Sequence, residues 1–296
     1  MEDPEPMTSQ LVTLVRSMNV ETQEQILIEA GRVGNIAPGE RIWSARFDGD
    51  RAYIVTFEQI DPLWVIDVSD ETKPIILGEL EVPGVSTYIH PLSRDHLLTI
   101  GLSPANEDGT GLDWSGTQIS LFNITDPTAP SRDAALRLSP VNDNERGWVW
   151  SQSEATYESK AFQYWAPKEL LAIPLSTYRY LDYEVDGRYY WSYDYVSKLI
   201  LVSVNETTGN LSVYGSVDHS DLYTQGENNR WWNEYNIRRS IFMGDYVYAI
   251  SSAGITATNL TTLQETARIQ IPDDALPYDG CLLYTSPSPR DATLSR

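Results

Sequence analysis

Cysteine is almost absent from this chain. The one residue of its type, Cys281, lies in the last sixteen positions. Disulfides, cysteine zinc sites and thiol nucleophiles are thereby excluded from everything before it. Histidine is nearly as scarce, with His90, His96 and His219 only. Positive charge is in short supply too: 21 Lys and Arg stand against 42 Asp and Glu, for a net charge of −21. Such a chain repels phosphate backbones and anionic membrane surfaces, so neither nucleic acid nor a charged bilayer is an expected partner. An acidic surface suits solubility, cation binding or salty surroundings. Long apolar runs are missing, and none approaches the roughly 20 residues of a membrane helix. The opening MEDPEPMTSQ has neither a basic nor an apolar region, so no signal peptide is visible. No segment sustains a 3.6-residue periodicity, and helix content is expected to be very low.

What the chain does contain is a repeat. RIWSARF-DGD-RAYIVTF-EQIDP-LWVIDVS-DETKP-IILGELEVPG, residues 41–84, is four strand-length apolar runs separated by Gly, Asp and Pro. Asp-Gly supplies the positive φ of a tight hairpin. The pattern recurs in VSTYIHPL (85–92), HLLTIGL (96–102), TQISLFNIT (117–125) and AALRLSP (134–140). A third copy is read in ESKAFQYW (158–165), LLAIPLS, SKLILVSVN and LSVYGSV, and a fourth in RRSIFM, YVYAISS, GITATNL and ARIQIP. Asp70–Pro74 and Asp126–Pro130 share D-x-x-x-P after the third strand, where proline stops the ladder. Four-stranded antiparallel units at this period predict an all-β fold, a β-propeller fragment of about four and a half blades. One blade has two apolar faces, and only stacking on neighbours covers both. The expected division is a partial blade at 1–36 and blades at about 37–84, 85–140, 155–220 and 236–272, within 37–280.

Residues 281–296, CLLYTSPSPRDATLSR, fall outside this pattern. Cys281–Asp291 reads as the in-frame translation of a common DNA-sequencing library adaptor, so this tail is expected to be non-native and is set aside. The natural chain is then expected to continue beyond Gly280, and Met1 is expected to lie inside a blade.

The stretch IAPGERIWSARFDGDRAYIVTFEQIDPLWVIDVSDETKPIILGELEVPGVSTYIHPLSRDHLLTIG (36–101) resembles the prokaryotic, often secreted β-propeller domain family distantly related to WD-40 repeats. The likeness continues through ISLFNITDPTAP, KAFQYWAPKELLAIPLS and RRSIFMGDYVYAISSAGITATNLTTLQE. It implies a propeller at the cell envelope or outside the cell, and carries over no catalytic residue. Where many members read close to D-H-K-A-F, this chain has Glu158-Ser159-Lys160-Ala161-Phe162.

Candidate ligand-binding residues come from two insertions, 177–195 and 223–236. Tyr180, Tyr183, Tyr189, Tyr190, Trp191, Tyr193, Trp231, Trp232 and Tyr235 crowd into them among carboxylates and amides. Flat rings beside such groups suit a glycan or a protein partner. The alternative is that they pack over the propeller edge, or pair with equivalent insertions in blades beyond this chain. Strand parity places both insertions and the 103–116 connection at one end of the fold. Asn106, Glu107, Asp108 and Asp113 offer oxygen ligands of the kind calcium takes, without the spacing of an EF-hand loop. No other cofactor is implied. The sequons at Asn123, Asn205, Asn210 and Asn259 are read as turn chemistry. The expected function is non-enzymatic binding or scaffolding through the loop-rich aromatic face. The alternatives are a hydrolase of glycans or peptides, with catalytic groups in blades beyond this chain, and a structural spacer of a surface protein.

Overall fold

The computed structural model describes residues 8–57, 61–140, 147–222 and 235–271. A two-stranded sheet, β1 (Ser9–Met18) and β2 (Gln25–Ile36), precedes the blades. Blade 1 is β3 (Arg41–Asp48), β4 (Arg51–Phe57), β5 (Asp61–Asp67) and β6 (Ile75–Val82). Blade 2 is β7 (Val85–Pro91), β8 (His96–Pro104), β9 (Leu112–Asn123) and β10 (Ser131–Arg137). Blade 3 contains β11 (Trp148–Gln152), β12 (Gln163–Trp165), β13 (Leu170–Val185), β14 (Arg188–Asn205) and β15 (Asn210–Asp218). Blade 4 is β16 (Ile237–Met243), β17 (Tyr246–Ser251), β18 (Gly254–Asn259) and β19 (Glu265–Gln270). Every sheet is antiparallel, those of blades 1, 2 and 4 are simple meanders, and the described residues form an open array of blades.

The apolar runs are continuous because both faces of each blade are covered. In β8, Leu97 enters the interface with blade 1, beside Tyr53, Val55 and Leu63. Its neighbour Leu98 enters the interface with blade 3, beside Leu171, Ile173 and Val202. Blade 3 repeats this with Leu201 toward blade 4 and Val202 toward blade 2. Successive strand residues point to opposite faces, so a single strand serves two interfaces.

The fourth strands carry a second regularity. Register shifts break the ladder in β6, β10, β15 and β19, marking β-bulges. Next to those in β6 and β15, and to a further register shift in β2, a glycine receives the turn between third and fourth strands of the following blade. A Cβ on Gly78 would sit 2.6 Å from the Pro127 carbonyl oxygen, and one on Gly31 would sit 2.6 Å from that of Glu71. The inserted turns are held by their own side chains. Asp70 Oδ1 accepts from the Thr72 amide at 2.9 Å and hydroxyl at 2.7 Å, and Asp126 does the same with Thr128 at 3.0 and 2.7 Å. Asn123, Asn205 and Asn259 likewise accept from backbone amides of their turns. Gly78→Val is expected to cost about 2 kcal/mol, because backbone rather than a yielding side chain meets the new atoms. Urea unfolding checks it, with Gly34→Val as control, since nothing lies within 4 Å of a Cβ there.

Blade 3 departs from the pattern expected of it. Its first strand was read over 158–165, but only Gln163–Trp165 is strand, paired with Leu170–Ala172. Residues 154–156 and 159–161 are single 3₁₀ turns. Farther out, β11 takes the first-strand position along β13, from Gln152↔Ser176 to Trp148↔Tyr180. The Glu154 carboxylate, almost buried, ties this excursion to blade 4. Arg238 Nε donates to it at 2.9 Å and Arg239 Nη1 at 2.7 Å.

Candidate functional site

The insertion at 177–195 was expected to be a loop; it is a hairpin. Tyr, Trp and Val suit strands, and Asp186-Gly187 has φ of 51° and 72°, the left-handed pair of a two-residue turn. That turn fixes the register. Val185 opposes Arg188, Tyr183 opposes Tyr190 and Tyr180 opposes Tyr193, in a ladder continuous with the blade. With β11 alongside, the result is a three-stranded wing projecting from blade 3.

Directly opposed residues share a face, so the register sorts the side chains. One face carries Trp148, Trp150, Tyr178, Tyr180, Asp182, Glu184, Tyr189, Trp191, Tyr193 and Tyr195. The other carries Val149, Arg179, Leu181, Tyr183, Val185, Arg188, Tyr190 and Asp194. On the first face Trp148 and Tyr180 stack at 6.4 Å and 12°, Tyr180 and Tyr193 lie 5.2 Å apart, and Trp191 meets Tyr193 edge-on at 5.5 Å. These rings support one another yet stay open to solvent: Trp191 is 65% exposed, Tyr189 61% and Trp150 50%. On the opposite face Tyr183 and Tyr190 stack at 5.8 Å.

The wing has a firm root. Tyr178 and Tyr195 contact at 4.9 Å, and Tyr195 is buried with Leu222, Tyr235 and Ala253. The β15–β16 connection and the β17–β18 turn therefore clamp the base. Burial holds the Tyr178 phenol above its usual pKa. Tyr235, a candidate binding residue, belongs to this root rather than to the open face. Trp231 and Trp232 lie outside the described residues. Sequence reasoning missed Trp148 and Trp150; their signal was the alternation Trp-Val-Trp after Gly147. It also missed Trp114 at the start of β9, 64% exposed and 6.0 Å from Trp43 of blade 1. β9 lies against β11, so these rings belong to the same end of the fold.

Three of the four candidate calcium ligands are engaged within the protein. Asn106 Nδ2 donates to Thr110 Oγ1, and Asp108 accepts from the Thr110 amide and hydroxyl. Asp113 accepts from Ser115 and from Arg137 Nη2 at 2.7 Å, and its pKa is lowered, hydrogen bonds and the guanidinium outweighing partial burial. Glu107 is exposed in the same connection. Among the described residues no group of three His, Cys, Asp or Glu is arranged to hold a metal ion.

The three histidines occupy three environments. His90 packs against Phe162 and Tyr164 at 5.3 and 5.7 Å, and burial first, then Arg46, lowers its pKa. His219 is fully buried between Ser251 Oγ at 3.0 Å and Thr256 Oγ1 at 2.8 Å. His96 lines a polar cleft of about 480 Å³ between blades 2 and 3 with Asp133, Glu206 and Gly209. Its Nδ1 is 3.3 Å from Glu206 Oε2, the oxygen that accepts from Ser93 Oγ at 2.8 Å. That order is hydroxyl, carboxylate, imidazole. A nucleophile triad needs the imidazole between the other two.

Four-stranded antiparallel blades packed face to face through shared apolar interfaces define a β-propeller. The chain belongs to the β-propeller domain family, whose model matches residues 2–263. An uncharacterized protein of Methanocaldococcus jannaschii is 33% identical over 162 residues, covering 53% of this chain and 23% of that protein. One of Archaeoglobus fulgidus is 39% identical over 100 residues, covering 34% of this chain and 14% of that protein. The chain thus matches less than a quarter of the length of these relatives. Among solved structures it is similar to the β-propeller domain of Myceliophteria thermophila Cps50 (Swd1), with TM-score 0.38, 10% identity and coverage of 84% of this chain and 66% of that one. The Vanderwaltozyma polyspora Nup133 β-propeller domain gives TM-score 0.37, 12% identity and coverage of 80% and 63%.

Proposed function

We propose that this propeller is a binding module whose contact surface is the wing of blade 3, and that its partner is a glycan or a protein. One observation carries the reading: six-membered and indole rings from three strands gather on one face, remain solvent-exposed, and stand on a buried root. A rigid scaffold presenting open aromatic rings is the usual build of a recognition surface. The family resemblance supports a place at the cell envelope or outside the cell as part of the same proposal. The test is a screen of the 296-residue chain and of its Trp148→Ala/Trp191→Ala variant on immobilised glycans and peptides. Ligands held by the first and released by the second are expected. Binding that survives both substitutions undiminished would remove the wing from the function.

A further inference from the structure

Resting on that reading, we infer that the wing's ligand is a polysaccharide of neutral sugar residues, laid across the strands over Trp148, Tyr193 and Trp191. The composition of the two faces separates this from a protein partner. The aromatic face carries rings and two carboxylates, and from Tyr178 to Tyr195 not one aliphatic side chain. Protein contact surfaces combine aromatic anchors with arginine and apolar packing around them. Here the arginines, Arg179 and Arg188, and the aliphatic Val149, Leu181 and Val185 all lie on the opposite face.

A pyranose ring matches what remains. Its C–H face is flat and apolar and lies on an indole or phenol ring; its edge hydroxyls donate to oxygen acceptors. The tyrosine hydroxyls and the Glu184 carboxylate supply such oxygens beside the rings. Charge then selects within the sugars. Among the described residues the only charged side chains on this face are Asp182 and Glu184, in a chain of net charge −21. Uronate or sulfated polymers would bring like charge to like. Neutral polymers incur no such penalty.

Native affinity electrophoresis tests this with three probes: a soluble neutral glucan, a soluble neutral mannan and polygalacturonate. The 296-residue chain should be retarded by a neutral polymer and not by polygalacturonate. Trp148→Ala and Trp191→Ala should each weaken that retardation about tenfold or more. Both side chains are substantially exposed, so folding is kept. Val185→Ala, on the opposite face and about half exposed, should leave it unchanged. Retardation by polygalacturonate that depends on the two tryptophans would overturn the neutral class while leaving the wing as the binding face. So would tryptophan-dependent capture of immobilised peptides in the screen described above, with no response here to either neutral polymer. Absence of tryptophan-dependent binding to all three polymers would overturn this inference; only its absence across the immobilised glycans and peptides as well would overturn the proposal beneath it.

Discussion

Phe162→Ala is expected to destabilise the protein by about 3–4 kcal/mol, among the largest effects of any single truncation in the chain. Phe162 follows the second 3₁₀ turn of blade 3 and reaches into blade 2. It is 5% exposed, and its ring lies 5.1 Å from Tyr88 and 5.3 Å from His90. The same cluster contains Leu98, Ile100, Ile119 and Leu121 from blade 2 and Leu171 and Ile173 from blade 3, each fully buried. Truncation opens a cavity where two sheets meet. Neither sheet collapses into it readily, because each is also held on its other face. In a stacked array the loss falls on one interface, so blades 2 and 3 should come apart first. A second readout marks the site. His90 has its pKa lowered mainly by burial against these rings. Water admitted by Phe162→Ala should move it back up toward the usual histidine range, measurable by NMR titration. Phe162→Leu keeps most of the volume and should cost less than about 1.5 kcal/mol. Equal stability of the alanine variant and the unaltered chain would refute this account of the interface.

Much of this architecture can be read from the residues. Turn chemistry is the clearest case: Asp70–Pro74 and Asp126–Pro130 announce a strand end, and the structure shows why. In each, the aspartate side chain caps its own turn, and the turn seats against the last strand of the preceding sheet. The candidate site was legible only in composition. Tyr180, Tyr189, Trp191 and Tyr193 stood out, but which of them share a face depends on register. Register depends on recognising Asp186-Gly187 as a two-residue turn inside a long hairpin. Trp148 and Trp150 were hidden for a different reason. Their strand is five residues long, and its pairing with β13 skips the two 3₁₀ turns and β12 between them. Tyr235 looked like its aromatic neighbours in sequence. Its burial comes from Tyr195, Leu222 and Ala253, which only the fold brings to it. The last of these environments to need the fold, that of His219, is also the one with the strongest consequence for stability.

His219 should make the protein acid-labile in a window set by its own titration. Its imidazole is fully buried, and its pKa is pushed from 6.5 down to about 4. Desolvation is the chief cause. Asp221, Glu265 and Asp218 pull the other way, and Arg268 opposes them. Arg268 donates to both Asp221 and Glu265 at 2.7 Å, so the carboxylates that could welcome an imidazolium are already paired. Above pH 6.5 the histidine is neutral in both folded and unfolded chains and the linkage contributes nothing. Between 6.5 and about 4 the unfolded chain binds the proton and the folded one does not, so stability falls with falling pH. At 1.36 kcal/mol per pH unit the loss reaches about 3 kcal/mol by pH 4. Below that both states are protonated and this contribution is flat. The carboxylates whose pKa is lowered, Asp70, Asp126 and Glu154 among them, begin to cost stability only below their ordinary values of 3.8 and 4.5. His90 adds a slope of the same sign. His219→Gln keeps groups able to bond Ser251 and Thr256 but cannot titrate. Unfolding free energies of this variant should therefore fall less steeply from pH 6.5 to 4 than those of the unaltered chain, by about one proton's worth of slope. Parallel pH profiles for the two proteins would show that His219 is already protonated in the fold, and that the hydroxyls of Ser251 and Thr256 accept from an imidazolium rather than from a neutral ring.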